Sequence, residues 1–304
     1  MHFDYCRKIF MQRSFAMNLS INTTNSYEVT LRTFRKFLAD QKKLEDLRGL
    51  QAEDLRAFFI VASETMNGET RQGVYRRLNT FFNFLVKDKK LIENPLSNVE
   101  KPKRSKRIIQ SFNSSEVSKM LTAYDVDTFI GRRNYTILSL LLATGLRRSE
   151  YISLKMYDVD LSNDFIRVIG KGDKERIVPI GKALSLILRK YVKARKEYLK
   201  GYSDTPYFII SKYRKGLSKD GSNSIFSTLR KELKLTGKRF SAHTWRHTFA
   251  KAFLLNGGDV FTLQELLGHE DVETTKVYVD LADNDKAVQN NKYNPLDNTK
   301  WQYY

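Results

Sequence analysis

The residues of this chain that can do chemistry are those that can handle a phosphodiester. Phosphoryl transfer needs an in-line nucleophile, positive charge for the equatorial oxygens and a proton for the leaving alkoxide. Arg147 in ATGLRRSE and Arg246 in HTWRH supply the charge, because a guanidinium stays protonated and its fork fits two phosphate oxygens at once. His243 stands three residues before Arg246, so a helix would put both on one face, and Ser241 suits the cap of that helix, with its positive end near the anion. His243 and His247 also have the spacing of a metalloprotease helix, but Thr244 and Trp245 stand where its Glu would be. No third ligand follows at a fitting distance, so no metal is expected. Lys171, flanked by Gly170 and Gly172, is the candidate general acid, although a turn lysine is ordinarily only solvated. That glycine pair is not a P-loop, since GxxxxGK[ST] is absent. His269 and Tyr278 are nine residues apart and would face opposite ways on one helix. The chain should therefore turn after Gly268 and His269 and restart with Asp271 as a cap.

The elements that must position these residues are mainly helical. Tyr27, Leu31, Phe34, Phe37 and Leu38 recur at helical spacing, as do Leu55, Phe58, Phe59 and Ala62, and then Val74, Leu78, Phe81, Phe82 and Leu85. Three amphipathic helices predict an α bundle as a first domain over 20–94. Residues 95–110 lose this period and gather Lys101, Lys103, Arg104, Lys106 and Arg107, which reads as a basic interdomain linker. Beyond it, helical patterns are expected from a cap at Ser114, around 131–143, and at 182–200, 222–235 and 242–255. The β-branched segments Ile166–Ile169 and Ile177–Ile180 flank a glycine-rich turn, a hairpin signature, and Tyr207–Ile210 reads as a short strand. The fold class expected is therefore mainly α, with a small antiparallel β-sheet in the second domain, at 111–287. Residues 288–304 form a tail. Residues 1–19, whose apolar stretch is broken by Gln12 and Arg13, read as a flexible leader.

Composition narrows the partners. The 304 residues carry 53 Lys and Arg against 34 Asp and Glu, a net charge of +19, which fits a polyanion. The excess is concentrated in 101–258, with 33 basic and 13 acidic residues, whereas 259–304 hold 4 and 9. The polyanion should thus lie against the middle of the chain. One cysteine, Cys6, allows no intramolecular disulfide. No apolar run approaches the roughly 20 residues of a membrane span, and the N-terminus is too polar for a signal peptide, so a cytoplasmic, DNA-associated protein is expected.

Taken in order, ATGLRRSE, GKGDKERIVPI, HTWRHTFA and LLGHEDVETTKVY resemble the motifs of the tyrosine recombinase (phage integrase) family, in its compact Xer-like or mobile-element form. The resemblance covers about residues 20–280. It implies a two-domain clamp, with an N-terminal helical core-binding domain and an integrase-type catalytic domain closing around duplex DNA. By motif, Tyr278 corresponds to the nucleophile, Arg147 and Arg246 to the phosphate-clamping arginines, and Lys171 to the general acid. His243 and His269 correspond to the two site histidines, and Glu150 to a supporting acidic residue. The implied reaction is cleavage and rejoining of DNA strands through a 3′-phosphotyrosine, without metal, ATP or other cofactor. It serves DNA integration and excision or chromosome dimer resolution, on a specific core site, by a homotetramer or paired hetero-recombinase. Either His243 or the phosphate can take the tyrosine proton. The tail after Tyr278 resembles the segment that packs on a neighbouring protomer. Trp245, Arg148 and Tyr151 depart from the usual residues, and none of these changes removes a catalytic group. Two other readings of the same residues are a type IB topoisomerase, whose second arginine usually follows a Lys rather than a His such as His243, and a non-catalytic architectural DNA-binding protein.

Overall fold

The structure, a computed structural model, describes residues 1–43, 46–103, 110–170 and 173–268. It separates into two compact units, Met1–Ile108 and Ile109–Tyr304. Both are helical except for one three-stranded antiparallel sheet in the second, as expected. Among the described residues no helix is long and apolar enough to cross a membrane.

The first unit is built from α1 (Phe3–Ala16), α2 (Ile21–Asp40), α3 (Ala52–Thr65) and α4 (Gly68–Lys87). Its core is rich in phenylalanine. Phe34 meets Phe58 edge-on at 5.0 Å between ring centroids, and Phe10 meets Phe81 at 5.3 Å, the arrangement the ring quadrupole favours. The leader expected over 1–19 is corrected here, because it contains α1. Phe3, Cys6, Phe10 and Ser14 recur on one buried face, while Gln12 lies on the solvent side. Of the polar residues that break the apolar run, Gln12 is thus on the outer face of the helix, and half-buried Arg13 lays its guanidinium over the Phe84 ring. Arg35 grips Asp4 with two bonds, of 2.8 and 3.0 Å, and Arg7 reaches Glu28, which fixes α1 on α2.

The first half of the expected linker also belongs to this unit. Leu96 and Val99 are buried in its core, the Tyr75 hydroxyl donates to the Val99 carbonyl at 3.1 Å, and Gln72 donates to that of Pro102. Asn94 is held by the side chains of Asn79 and Asn83 and in turn accepts from the Leu96 N–H, which turns the chain back onto α4. Lys101 and Lys103 are exposed, and Arg104, Lys106 and Arg107 lie outside the described residues.

In the second unit α6 (Phe129–Thr144) is the central helix. Ile137, Leu138, Leu140 and Leu141 are all buried, and α8 (Lys182–Tyr198) and α10 (Ala242–Leu255) pack on it. A helix apolar on several sides must be interior. α5 (Ser114–Thr122) begins one residue earlier than expected. Its cap is Asn113, not Ser114, because Asn113 and Glu116 exchange backbone and side-chain hydrogen bonds of 2.7 and 2.8 Å. The sheet consists of β1 (Val159–Asp160), β2 (Phe165–Ile169) and β3 (Glu175–Pro179), with Ile166 opposite Val178 and Val168 opposite Arg176. The segment Tyr207–Ile210 is not a strand. Phe208, Ile209 and Ile210 are buried and Tyr207 is half-buried, but the segment pairs singly, Tyr207 with Lys155 and Ile210 with Gly216, and the Tyr191 hydroxyl takes up the Ile210 N–H. The remaining α-helices among the described residues are α7 (Arg148–Ser153), α9 (Lys219–Glu232) and α11 (Val260–Leu267).

The seating of α1 has a measurable consequence. Phe10→Ala, which deletes a ring that is 2% exposed, should destabilise the first unit by about 3–5 kcal/mol in urea unfolding of the whole chain, whereas a flexible leader would show no change.

Candidate active site

The chain reaches the site through a sharp stop at the end of α6. Gly145 caps this helix in the left-handed region at φ 61°, and a Cβ there would lie 2.3 Å from the Phe249 ring. Buried Leu146 follows, and then Arg147, the N-cap of α7. Arg147 is half-buried, and its backbone N–H donates to Oε2 of Glu150 at 2.8 Å while its Nη1 donates to Oε1 at 2.8 Å. Glu150, only 4% exposed, receives two more bonds from Arg176 on β3: Nη1 to Oε1 at 2.9 Å and Nη2 to Oε2 at 2.7 Å. One buried carboxylate thus accepts four hydrogen bonds from two guanidinium-bearing residues. Burial pushes its pKa up, but the bonds and charge of Arg176, followed by those of Arg147, outweigh it and hold it below the ordinary 4.5.

Arg246 arrives from α10. Ser241 caps that helix as expected, its Oγ accepting the Thr244 N–H, and Arg246 lies on the second turn, 2% exposed. Its Nη1 donates to the Gly145 carbonyl at 2.9 Å and its Nη2 to that of Leu267 at 2.6 Å. The other two arginines meet the same segment: Arg176 Nε donates to the Leu266 carbonyl and Arg147 Nη2 to that of Gly268, both at 2.9 Å. Three successive carbonyls at the end of α11 therefore each hold a different guanidinium. Those groups carry the helix's partial negative charge, so the arrangement suits cations. Gly268 ends α11 at φ 62°, in the left-handed region, and the turn expected after Gly268 and His269 lies outside the described residues. A Cβ on Gly268 would lie 3.2 Å from Arg176 Nη1, so the glycine also admits the arginine.

The structure thus brings together Arg147, Glu150 and Arg246. His243 sits on the first turn of α10, exposed, with its ring 4.2 Å from that of His247. Lys171, His269 and Tyr278 lie outside the described residues, as does Asp271. Among the described residues no group of three His, Cys, Asp or Glu side chains could hold a metal ion. The unusual residues are accommodated elsewhere: Trp245 fills the core 5.2 Å from Phe112, the Tyr151 hydroxyl meets Ser222, and Arg148 donates to Asn223.

Arg176 is the residue that sequence reasoning missed. Period two along β3 turns Arg176 and Val178 inward and leaves Ile177 55% exposed, so the apolar residue of the pair faces out and the charged one faces in. The only available signal was the arginine's place in that alternation, next to an isoleucine whose type suggests core.

Glu150 makes the site's stability pH-dependent. Its folded pKa is lowered, so its contribution is complete above the ordinary 4.5 and is lost as the pH falls through the folded value. Glu150→Ala, which leaves Arg176, with its side chain 13% exposed, without its carboxylate, should cost about 3–5 kcal/mol near pH 7 in urea unfolding. The gap to the unaltered protein should narrow progressively below pH 4.5.

Comparison with known proteins shows the family and the fold. A model of the phage integrase family matches residues 110–285. Tyrosine recombinase XerD of Listeria monocytogenes serotype 4b (strain F2365) is 36% identical over 279 residues, covering 90% of this chain and 92% of the relative. Tyrosine recombinase XerC of Halalkalibacterium halodurans (strain ATCC BAA-125 / DSM 18197 / FERM 7344 / JCM 9153 / C-125) is 35% identical over 268 residues, covering 86% and 87%. The fold is similar to that of the Tn1549 transposon integrase in complex with transposon right end DNA, with a TM-score of 0.77 at 20% identity over 96% of this chain and 99% of that one. It is also similar to that of the XerH recombinase in its post-cleavage complex with a palindromic difH substrate, with a TM-score of 0.74 at 22% identity over 91% and 80%. Since the family model spans more than half of the sequence and the XerD relative aligns along nearly all of it, the chain belongs to the phage integrase family of tyrosine recombinases.

Proposed function

We propose that this protein is a site-specific DNA recombinase of the Xer type, acting in the cytoplasm on duplex DNA as a multimer of itself or with a paired recombinase. The observation that carries this reading is the meeting of Arg147 and Arg246 on adjacent carbonyls of one helix end, Gly268 and Leu267. The two guanidiniums are thus tied to neighbouring peptide units, whose Cα atoms are about 3.8 Å apart, and in this reading both serve one phosphate. Two of the five N–H donors of Arg147 are used among the described residues, which leaves the others for an anion.

In the proposed reaction the Tyr278 oxygen attacks the scissile phosphorus as its proton leaves, to His243 or to a phosphate oxygen. The P–O5′ bond breaks, and Lys171 gives a proton to the departing 5′-oxygen. The phosphotyrosyl bond retains the energy of the diester it replaces, so the freed 5′-hydroxyl of a partner strand can reverse the step without ATP. A phenol of pKa about 10 costs about 4 kcal/mol to ionise at neutral pH, and the fixed charge of Arg147 and Arg246, with His269, offsets this as negative charge builds on the phosphate. Lys101, Lys103, Arg104, Lys106 and Arg107 contact the DNA backbone and add affinity without sequence choice. Relatives named both XerD and XerC support the Xer reading over a larger phage enzyme, and element integration, element excision and chromosome dimer resolution all use this one reaction.

The test is covalent capture. Protein incubated with fragmented genomic DNA and quenched in denaturant should carry DNA ends that sequence to one site, and Tyr278→Phe should carry none. Relaxation of supercoiled plasmid lacking that site would instead identify a topoisomerase, and binding without any adduct would identify an architectural protein. In binding to the recovered site, replacing Lys101 and Lys103 by alanine should lower the log–log salt slope by about 0.9 for each phosphate that is no longer neutralised.

A further inference from the structure

Arg176 occupies a place that the reaction scheme leaves unassigned. Its side chain is 13% exposed and three of its donors are committed to protein: two to Glu150 and one to the Leu266 carbonyl. It therefore has little surface to offer DNA, yet it shares one carboxylate with Arg147. Without Arg176 the whole charge of buried Glu150 would act on Arg147, and the pair would present no net charge to a phosphate. With Arg176 the same carboxylate is divided between two cations, and the triad keeps one positive charge.

We propose that Arg176 is a positioning residue for strand cleavage: it shares the charge of Glu150 so that the guanidinium of Arg147 stays available to the scissile phosphate. The inference rests on the reading of Arg147 as a phosphate clamp. Gly268 supports it, since the absence of a side chain there lets the Arg176 guanidinium lie against the end of α11, where Arg147 is also anchored.

Single-turnover cleavage of a nicked duplex carrying the captured site tests this, using the full chain and two forms of the scissile linkage, phosphate and the methylphosphonate that lacks one negative charge. Arg176→Met should cleave the phosphate duplex about 10- to 100-fold more slowly at saturating DNA, with the half-saturating DNA concentration unchanged. Its deficit relative to the unaltered protein should shrink on the methylphosphonate, as should that of Arg147→Ala. Glu150→Gln added to Arg176→Met should recover about 10-fold of the lost rate, because a neutral amide no longer draws on Arg147, and it also guards against a variant that fails to fold. An Arg176→Met deficit equal on both linkages, while that of Arg147→Ala is relieved, would overturn the proposal and leave Arg176 a purely structural residue. Failure of Glu150→Gln to rescue would do the same. If the Arg147→Ala deficit is not relieved either, the clamp reading itself falls, and the role of Arg176 falls with it.

Discussion

Glu150 is the fixed point of the catalytic unit. Removing a carboxylate from water costs several kcal/mol, and here the cost is offset by four hydrogen bonds from Arg147 and Arg176. Those bonds constrain the backbone as much as the charge. Arg147 caps α7, Arg176 lies on β3, and both guanidiniums continue to the end of α11. Arg246 closes the remaining side by joining α10 to the Gly145 turn and to Leu267. Four separate segments, 145–150, β3, α10 and the end of α11, are thus brought to one place by polar groups, against a background of apolar packing that by itself has no directional preference.

The electrostatic consequence is a site that is cationic before any DNA arrives. Arg147 and Arg176 share the carboxylate of Glu150, and all three guanidiniums, that of Arg246 included, meet peptide carbonyls, whose dipoles orient a cation without cancelling its charge. An anion entering such a site finds donors already in place and demands little reorganisation, which is the condition under which fixed charge lowers a barrier most.

Much of this was legible in the sequence, for reasons that can be named. Arg147, Glu150 and Arg246 sit in short motifs whose spacing survives folding, and Ser241 announced the cap of α10 by its type and place. The helical repeats of the first unit were equally plain. The errors share one cause, a judgement of burial made from residue type alone. Gln12 and Arg13 made α1 resemble a leader, although Phe3, Cys6 and Phe10 keep a helical period beneath them. Ile177 looked like core and concealed the inward turn of Arg176. Tyr207–Ile210 had strand composition, but its buried backbone is satisfied by single bridges and a tyrosine hydroxyl rather than by a ladder. Pairing between distant segments decides such cases, and local pattern carries no record of it.

The acceptors at the end of α11 are main-chain oxygens. Every amino acid brings a carbonyl, so substitutions at Leu266 and Leu267 leave the oxygens that Arg176 and Arg246 bond in place, provided the helix keeps its course. The anchoring of the charged groups is consequently insulated from genetic drift along that stretch and vulnerable instead to inserted or deleted residues, which would move the oxygens themselves. Gly268 is the exception, since a side chain there would be strained in the left-handed turn and would press on the Arg176 guanidinium, 3.2 Å from the added Cβ.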